Sequence, residues 1–123
     1  MGTFKQLRDR LAWKYHCVFP EVAFTLVEYG ATLVDVRDSS DWRAGHVPLA
    51  RHIPFDELPQ RLTELPDQRP VIFVSGSGRR AKQAAAYLAG RGHNASNITG
   101  GMRAWARAGL PVTGSDGEPG SIL

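Results

Sequence analysis

The stretch that decides the fold of this 123-residue chain is Val71-Ile72-Phe73-Val74-Ser75-Gly76-Ser77-Gly78-Arg79-Arg80. Four consecutive apolar residues are typical of a strand that is buried on both faces of a parallel sheet. The glycines that follow let the main chain turn tightly into a helix, which we predict from residue 79 to about residue 90. In open parallel sheets, such a strand-to-helix turn lies where ligands bind.

The same alternation of strands and helices continues on both sides of this stretch. We predict strands at residues 17–18, 32–36, 52–53 and 95–99, and helices at 4–15, 20–29, 55–65 and after residue 101. Strands that alternate with helices indicate an α/β fold with a largely parallel sheet.

The length and composition indicate one domain with short extensions. We assign residues 1–16 to an N-terminal amphipathic helix and residues 17–113 to the domain, and the Gly-, Ser- and Pro-rich residues 114–123 to a flexible C-terminal tail. No membrane partner is predicted, because no apolar run approaches the roughly 18 residues of a membrane span.

The chain has a single cysteine, Cys17. This count excludes a disulfide framework and a zinc site built from several thiolates. A lone cysteine without a signal-peptide pattern indicates a reducing, cytoplasmic location. We interpret Cys17 as a buried structural residue of the first strand.

The positive charges are concentrated in the second half of the chain. Residues 68–115 contain seven basic residues and no acid, whereas residues 1–67 contain eight basic and ten acidic residues. This asymmetry indicates either a solvated basic face or an anion site. No nucleic-acid partner is predicted, because basic and aromatic residues do not alternate.

The loop from Ser75 to Arg80 is the predicted anion site. Its glycines let successive amide groups converge at the positive end of the following helix. The Arg80 guanidinium can bind the same anion from the other side of the loop. The predicted ligand is a small oxyanion. The Walker phosphate motif and the hydrolase nucleophile elbow are both absent from this loop.

Four segments in order resemble the rhodanese family of sulfurtransferases. They are Leu33–Arg37 (LVDVR), Trp42–Pro54 (WRAGHVPLARHIP), Val71–Ala81 (VIFVSGSGRRA) and Asn97–Trp105 (NITGGMRAW). The resemblance implies a three-layer α/β/α domain with a five-stranded, mostly parallel sheet. It also implies an active site at residues 75–80 and a sulfur donor such as thiosulfate. The six-residue loop matches sulfurtransferases, whereas related phosphatases have a loop one residue longer.

The resemblance places Ser75 where the family has its nucleophilic cysteine. A serine hydroxyl is not drawn into its anionic form by a positive loop as a thiol is, and oxygen does not make a persulfide. We therefore expect no sulfur transfer from the chain as written.

Further residues receive roles from the resemblance. The anion-binding loop is Gly76, Ser77, Gly78, Arg79 and Arg80, and the supporting residues are Asp35, Arg37, His46 and Trp105. Asp35 is expected in a charge network and Arg37 below the loop. His46 and His52 lack a further ligand cluster, so neither a metal nor a cofactor is predicted.

Three hypotheses for function stay open at this point. The first is a non-catalytic domain that binds an anion or a protein partner through its loop. The second is a thiosulfate or persulfide sulfurtransferase in which an engineered serine replaces the cysteine. The third is a protein-interaction module, with a homodimer formed through residues 4–15.

Overall fold

The computed structural model describes residues 16–122, in which strands and helices alternate. The elements are β1 (His16–Val18), α1 (Pro20–Glu28), β2 (Thr32–Asp35), α2 (Ser39–Ala44), β3 (Arg51–His52), a 3-10 helix (Phe55–Glu64), β4 (Val71–Val74), α3 (Arg79–Ala89), β5 (Ala95–Ile98) and α4 (Gly101–Arg107). The predicted helix at residues 4–15 lies outside the described residues. No helix within residues 16–122 is long and apolar enough to cross a membrane.

The five strands form one parallel sheet in the order β1-β5-β4-β2-β3. All four residues of β4 are buried, as its continuous apolar run predicts. Because the strands are parallel, the carboxyl ends of the central strands β4 and β2 meet at one edge of the sheet. This edge holds the loop that follows Val74.

The helices cover the two faces of the sheet. On one face, α3 and the 3-10 helix pack through a cluster that includes Phe73, Leu58 and Leu88. On the other face, α1 and α4 pack through a cluster that includes Ile72 and Trp105. The predicted three-layer α/β/α architecture is confirmed.

Several local features differ from the sequence-based predictions. The segment predicted as a helix at residues 55–65 is a 3-10 helix with Pro59 inside it, and the third strand is Arg51–His52 where residues 52–53 were predicted.

The stretch between residues 36 and 52 was predicted as a loop, but part of it forms the helix α2. The sequence does not indicate this helix, because its six residues carry no apolar period. The prediction that Cys17 is buried is wrong: Cys17 is exposed on β1, which among residues 16–122 is an edge strand paired with β5.

The C-terminal residues fold back on the domain as far as residue 122. Thr113 bridges both His46 and Pro119, and the Ser121 amide donates to the Ala44 carbonyl at 2.9 Å. Gly45 is required there, because a Cβ on it would meet the Ser121 main chain. Residues 114–122 thus brace the end of α2, and the flexibility of this tail stays a prediction.

Candidate functional site

The loop after β4 is held open by the start of α4. Gly78 adopts φ 109°, in the left-handed region that favours glycine, and lets α3 begin at Arg79. The amide of Met102 donates to the Ser75 carbonyl at 2.7 Å, and that of Arg103 donates to the Gly76 carbonyl at 3.2 Å. The loop carbonyls therefore point toward α4.

Four amides of the loop are left without acceptors. Within the described part of the chain, none of them donates a hydrogen bond to the protein; they belong to Gly76, Ser77, Arg79 and Arg80. Unpaired amides at the start of a helix attract an anion, because they present aligned positive partial charges. The loop therefore presents four free donors at the start of α3, and anion binding there stays a prediction.

The Ser75 side chain is buried at the base of this loop, with 3% of the residue exposed. Its Oγ accepts hydrogen bonds from the amides of Gly78 at 3.1 Å and Ala81 at 3.2 Å. A serine hydroxyl has two lone pairs and one proton. Because both lone pairs are engaged, the proton is left to donate to a group in the cleft.

A buried ion pair supports the cleft from below. Arg37 donates to both carboxylate oxygens of Asp35, with its NH2 group at 2.8 Å from Oδ2 and its Nε at 3.0 Å from Oδ1. The same NH2 group donates to the Gly45 carbonyl at 2.6 Å. Asp35 therefore fixes the Arg37 guanidinium against the end of α2, and Arg37 reaches the cleft wall.

The cleft over the loop has a volume of about 330 Å³. Its wall contains four arginines and two aspartates, together with three further residues of the loop. The lining residues are Arg37, Asp38, Asp41, Ser75, Gly76, Ser77, Arg79, Arg80 and Arg103. The arginines give the cleft a formal excess of positive charge.

Arg80 lines the cleft, as its predicted role requires, but it is also paired with an aspartate. The Arg80 NH1 group lies 3.4 Å from Asp38 Oδ1, in a salt bridge exposed on both sides. An exposed pair of this length is weak, so an incoming anion can compete with Asp38 for Arg80. The salt bridge joins the loop to the stretch that precedes α2.

Sequence reasoning missed three lining residues, Asp38, Asp41 and Arg103. Asp38 and Asp41 belong to the stretch around α2, which was not predicted as a helix. Arg103 follows the glycine pair at the start of α4, and its main-chain amide donates a hydrogen bond to the Gly76 carbonyl of the loop. The cluster of basic residues in the second half of the chain was the available signal for Arg103.

Two predicted supporting residues lie away from the cleft wall. The His46 ring stacks on Trp42 with 3.5 Å between ring centroids, and its Nδ1 lies 2.6 Å from the Trp42 carbonyl. Trp105 is fully buried between the sheet and α1, and its Nε1 donates to the Pro111 carbonyl at 2.9 Å. Both positions fit structural roles.

Cys17 does not contribute to the cleft wall. It pairs with Asn97 of β5, which in turn pairs with Phe73 of β4. Two strand spacings, about 10 Å, separate Cys17 from β4. Its Sγ donates to Asn97 Oδ1 at 3.3 Å, and Nδ2 of Asn97 is the one buried side-chain polar atom without a partner among residues 16–122. The thiol therefore lies on the outer strand β1, to one side of the cleft.

No group of three or more His, Cys, Asp or Glu side chains comes together within residues 16–122 in a way that could hold a metal ion. The two histidines noted in the sequence have other partners. His52 Nε2 lies 2.8 Å from the Arg37 carbonyl, and the His52 ring stacks on Trp42. The imidazoles of His46 and His52 therefore both stack on the Trp42 indole.

A known protein family matches the part of the chain that contains this loop and most of the sheet. The family model described as the rhodanese-like domain matches residues 21–108. The chain belongs to the rhodanese-like domain family. The match runs from α1 to just beyond the end of α4, and it includes the whole cleft.

Relatives of this rhodanese-like domain carry sulfurtransferase names. A protein from Allochromatium vinosum named sulfurtransferase is 40% identical over 86 residues, which are 69% of this chain and 80% of that protein. A protein from Pseudomonas savastanoi pv. phaseolicola named thiosulfate sulfurtransferase GlpE is 34% identical over 87 residues, covering 70% of this chain and 82% of that protein. The chain is thus a member of a sulfurtransferase family.

Solved structures show the same fold. A rhodanese-related protein from Thermoplasma volcanium superposes with a TM-score of 0.76 at 23% identity. The superposition covers 80% of this chain and 98% of that protein. The rhodanese-like fold of the described residues is therefore shared over nearly the full length of that protein.

Proposed function

We propose that this rhodanese-like domain binds a small oxyanion in its loop and does not transfer sulfur while residue 75 is serine. The observation that carries the proposal is the hydrogen bonding of Ser75. Its Oγ accepts from the amides of Gly78 and Ala81, so the hydroxyl serves as an acceptor to the loop and a donor to the cleft.

The surroundings of Ser75 do not favour a serine nucleophile. A hydroxyl needs an adjacent general base before it attacks. The rings of His46 and His52 are hydrogen-bonded to the carbonyls of Trp42 and Arg37. No histidine contributes to the cleft wall within residues 16–122. Serine oxygen also does not form the persulfide on which the family chemistry depends.

The cleft has the donors that an oxyanion needs. The free amides of the loop and the Ser75 hydroxyl lie at its base, and the guanidinium groups of Arg79 and Arg103 lie on its wall. Charge-assisted hydrogen bonds from guanidinium groups are stronger than neutral ones. Thiosulfate and sulfate have the tetrahedral shape and charge that match this arrangement.

An anion titration tests the binding part of the proposal. We expect sulfate and thiosulfate to shift the amide resonances of residues 76–80 in a saturable manner, with smaller effects at the opposite edge of the sheet. Chloride at equal ionic strength serves as the control for general screening. Equal shifts throughout the domain, or no saturation, would contradict a bound anion at the loop.

The second candidate function is a sulfurtransferase whose nucleophilic cysteine has been exchanged for serine. Two observations favour it: the amides of Gly78 and Ala81 are positioned to stabilise a thiolate at residue 75, and relatives are named sulfurtransferases. A thiolate at residue 75 would attack the outer sulfur of thiosulfate and release sulfite. Cyanide would then take that sulfur as thiocyanate and regenerate the thiolate.

The variant Ser75→Cys separates the two candidates. Turnover of thiosulfate and cyanide to thiocyanate by this variant, and none by the parent chain, would support a sulfurtransferase architecture. Absence of turnover, with saturable sulfate binding retained by the parent, would support a domain specialised for binding. The variant Ser77→Cys, with an exposed thiol in the same loop, controls for unspecific thiol chemistry.

The cytoplasmic location is also a proposal, which rests on the single cysteine of the chain.

The homodimer through residues 4–15 concerns residues outside the described part of the chain. Comparing the sedimentation of the full chain with that of a variant with Leu7→Asp and Leu11→Asp tests the homodimer. An unchanged sedimentation coefficient would contradict it.

A further inference from the structure

Four basic side chains extend from the cleft onto the surface of α3 and α4. They are Arg79 and Lys82 of α3 and Arg103 and Arg107 of α4, and we call them the basic strip. All four residues are exposed. Residues three and four apart on a helix share a face, so each helix presents its two cations on one side.

The hydrogen bonds of the loop make the strip continuous. The Arg103 amide donates to the Gly76 carbonyl at 3.2 Å, which places the start of α4 against the loop that leads into α3. Arg79 and Arg103 both line the cleft, whereas Lys82 and Arg107 lie outside it. The strip therefore runs from one helix across the mouth of the cleft to the other.

No ion pair neutralises the strip within the described residues. None of its four side chains forms a salt bridge among residues 16–122, and residues 68–115 contain no Asp or Glu. Arg61 on the 3-10 helix differs, since it pairs with Glu57 and Glu64. The hydrogen bond to Glu64 is the main reason that the pKa of Arg61 is raised. Arg37 and Arg80 are also paired, with Asp35 and Asp38, so the strip differs from these arginines in having no ion-pair partner.

We infer that the basic strip is a docking surface for a protein partner with an acidic surface, which presents an anionic group to the cleft. A small anion held in the cleft does not reach Lys82 or Arg107, so only a ligand larger than the cleft contacts the whole strip. The inference rests on the proposed function where it places the anionic group over the loop.

The cleft also gives the docked partner an orientation. Asp38 and Asp41 line the wall on the α2 side and repel further negative charge. The partner's acidic residues therefore lie over α3 and α4. Complementary surface charge of this kind raises the association rate and disfavours wrong partners.

A protein fits this surface better than a nucleic acid. Single-stranded nucleic acids are held by aromatic side chains on which bases stack, together with a basic groove. Among the described residues, the exposed aromatic side chains are Phe19, Tyr29 and Tyr87, and none of them belongs to the strip. Tyr87 is instead covered by Arg91, at 4.7 Å from its ring centroid.

Charge reversal at the outer end of the strip tests the inference. Fluorescence anisotropy would measure binding of a fluorescein-labelled polyglutamate peptide to the full chain at low and moderate salt. For the variant with Lys82→Glu and Arg107→Glu, we expect binding weakened by about tenfold. The control variant, with Arg69→Glu and Arg91→Glu, has the same net charge but changes exposed residues at the opposite edge of the sheet.

The outcomes separate the docking surface from the anion site. Loss of peptide binding in the strip variant alone, with sulfate binding retained, supports the inference. Equal loss in both variants would show a net-charge effect and overturn it, as would tight binding of an RNA oligonucleotide without peptide binding. Failure of sulfate to bind the parent chain would contradict the proposed function. The effect of the strip variant on peptide binding would still test the docking surface. Circular dichroism confirms that both variants fold.

Discussion

At the scale of single residues, the hydroxyl of Ser75 satisfies two buried amides. The variant Ser75→Ala leaves the amides of Gly78 and Ala81 without an acceptor. We expect the free energy of unfolding to fall by about 2 kcal/mol, since each unsatisfied buried group is costly. Urea denaturation measures this loss. Ser77→Ala removes an exposed hydroxyl from the same loop, and equal losses in both variants would contradict the assigned hydrogen bonds.

The buried pair of Asp35 and Arg37 gives a second residue-scale prediction. Asp35→Asn leaves the Arg37 guanidinium buried without its counter-charge, so we expect a loss of about 3 kcal/mol in unfolding free energy. Glu57→Gln removes one partner of the exposed Arg61 and serves as the control. We expect its urea midpoint to stay that of the parent chain. Comparable losses in both variants would show that burial of the pair has no special effect.

Single residues differ in how far the sequence predicts them. Ser75 and the loop follow from local pattern, because an apolar strand, two glycines and a helix stand next to one another in the chain. The contact of Arg80 with Asp38 joins residues 42 positions apart, and no local pattern encodes it. The burial of Cys17 was predicted wrongly because its short strand lies at the sheet edge.

At the scale of elements, the start of α4 sets the shape of the loop. Gly101 has φ 63°, and a Cβ there would meet the carbonyl oxygens of Ser75 and Gly76. We expect Gly101→Ala to cost about 3 kcal/mol in unfolding free energy and to abolish sulfate binding, because the loop must move. Urea denaturation and the sulfate titration measure the two effects.

Gly109 provides the matched control for this substitution. It has φ 75°, but nothing lies within 4 Å of the Cβ position. Gly109→Ala therefore carries the cost of a left-handed main chain, about 1 kcal/mol, and leaves the loop in place. If Gly101→Ala and Gly109→Ala behave alike, close packing of α4 against the loop is not what shapes the site.

The elements themselves were predicted best where the apolar pattern is long. β4 matches its predicted bounds, and α3 ends one residue earlier than predicted. The helix α2 has six residues and no buried side chain, so it leaves no periodic signal in the sequence. Two long-range contacts hold its C-terminal end in place. Arg37 donates to the Gly45 carbonyl, and the Ser121 amide donates to the Ala44 carbonyl.

At the scale of the whole molecule, the parallel sheet separates the arginines of the basic half of the chain between the two ends of its strands. α3 starts at the carboxyl edge of the sheet with Arg79 and ends near the opposite edge, close to Arg91. Arginines at the two edges therefore face different surroundings although they belong to the same basic half of the chain. Arg79 and Arg103 line the cleft, whereas Arg69 and Arg91 lie at the far edge.

This separation leads to a prediction for thermal stability in sulfate. A ligand that binds the folded state stabilises it by about 2.7 kcal/mol at a hundredfold excess over its Kd, which corresponds to a rise in Tm on the order of 10 °C. Sulfate also stabilises proteins generally, because it is excluded from their surfaces. The specific part should disappear when the cleft arginines are removed, while the general part should stay.

Two variants of equal charge separate these contributions. In one, Arg79→Gln and Arg103→Gln remove cleft guanidinium groups; in the other, Arg69→Gln and Arg91→Gln remove exposed ones at the far edge. Calorimetry in sulfate and in chloride of matched ionic strength measures the increment in Tm. We expect the far-edge variant to keep the parent's increment and the cleft variant to keep the excluded-salt part alone. Equal increments in all three proteins would mean that sulfate acts only as an excluded salt and that the cleft holds no anion.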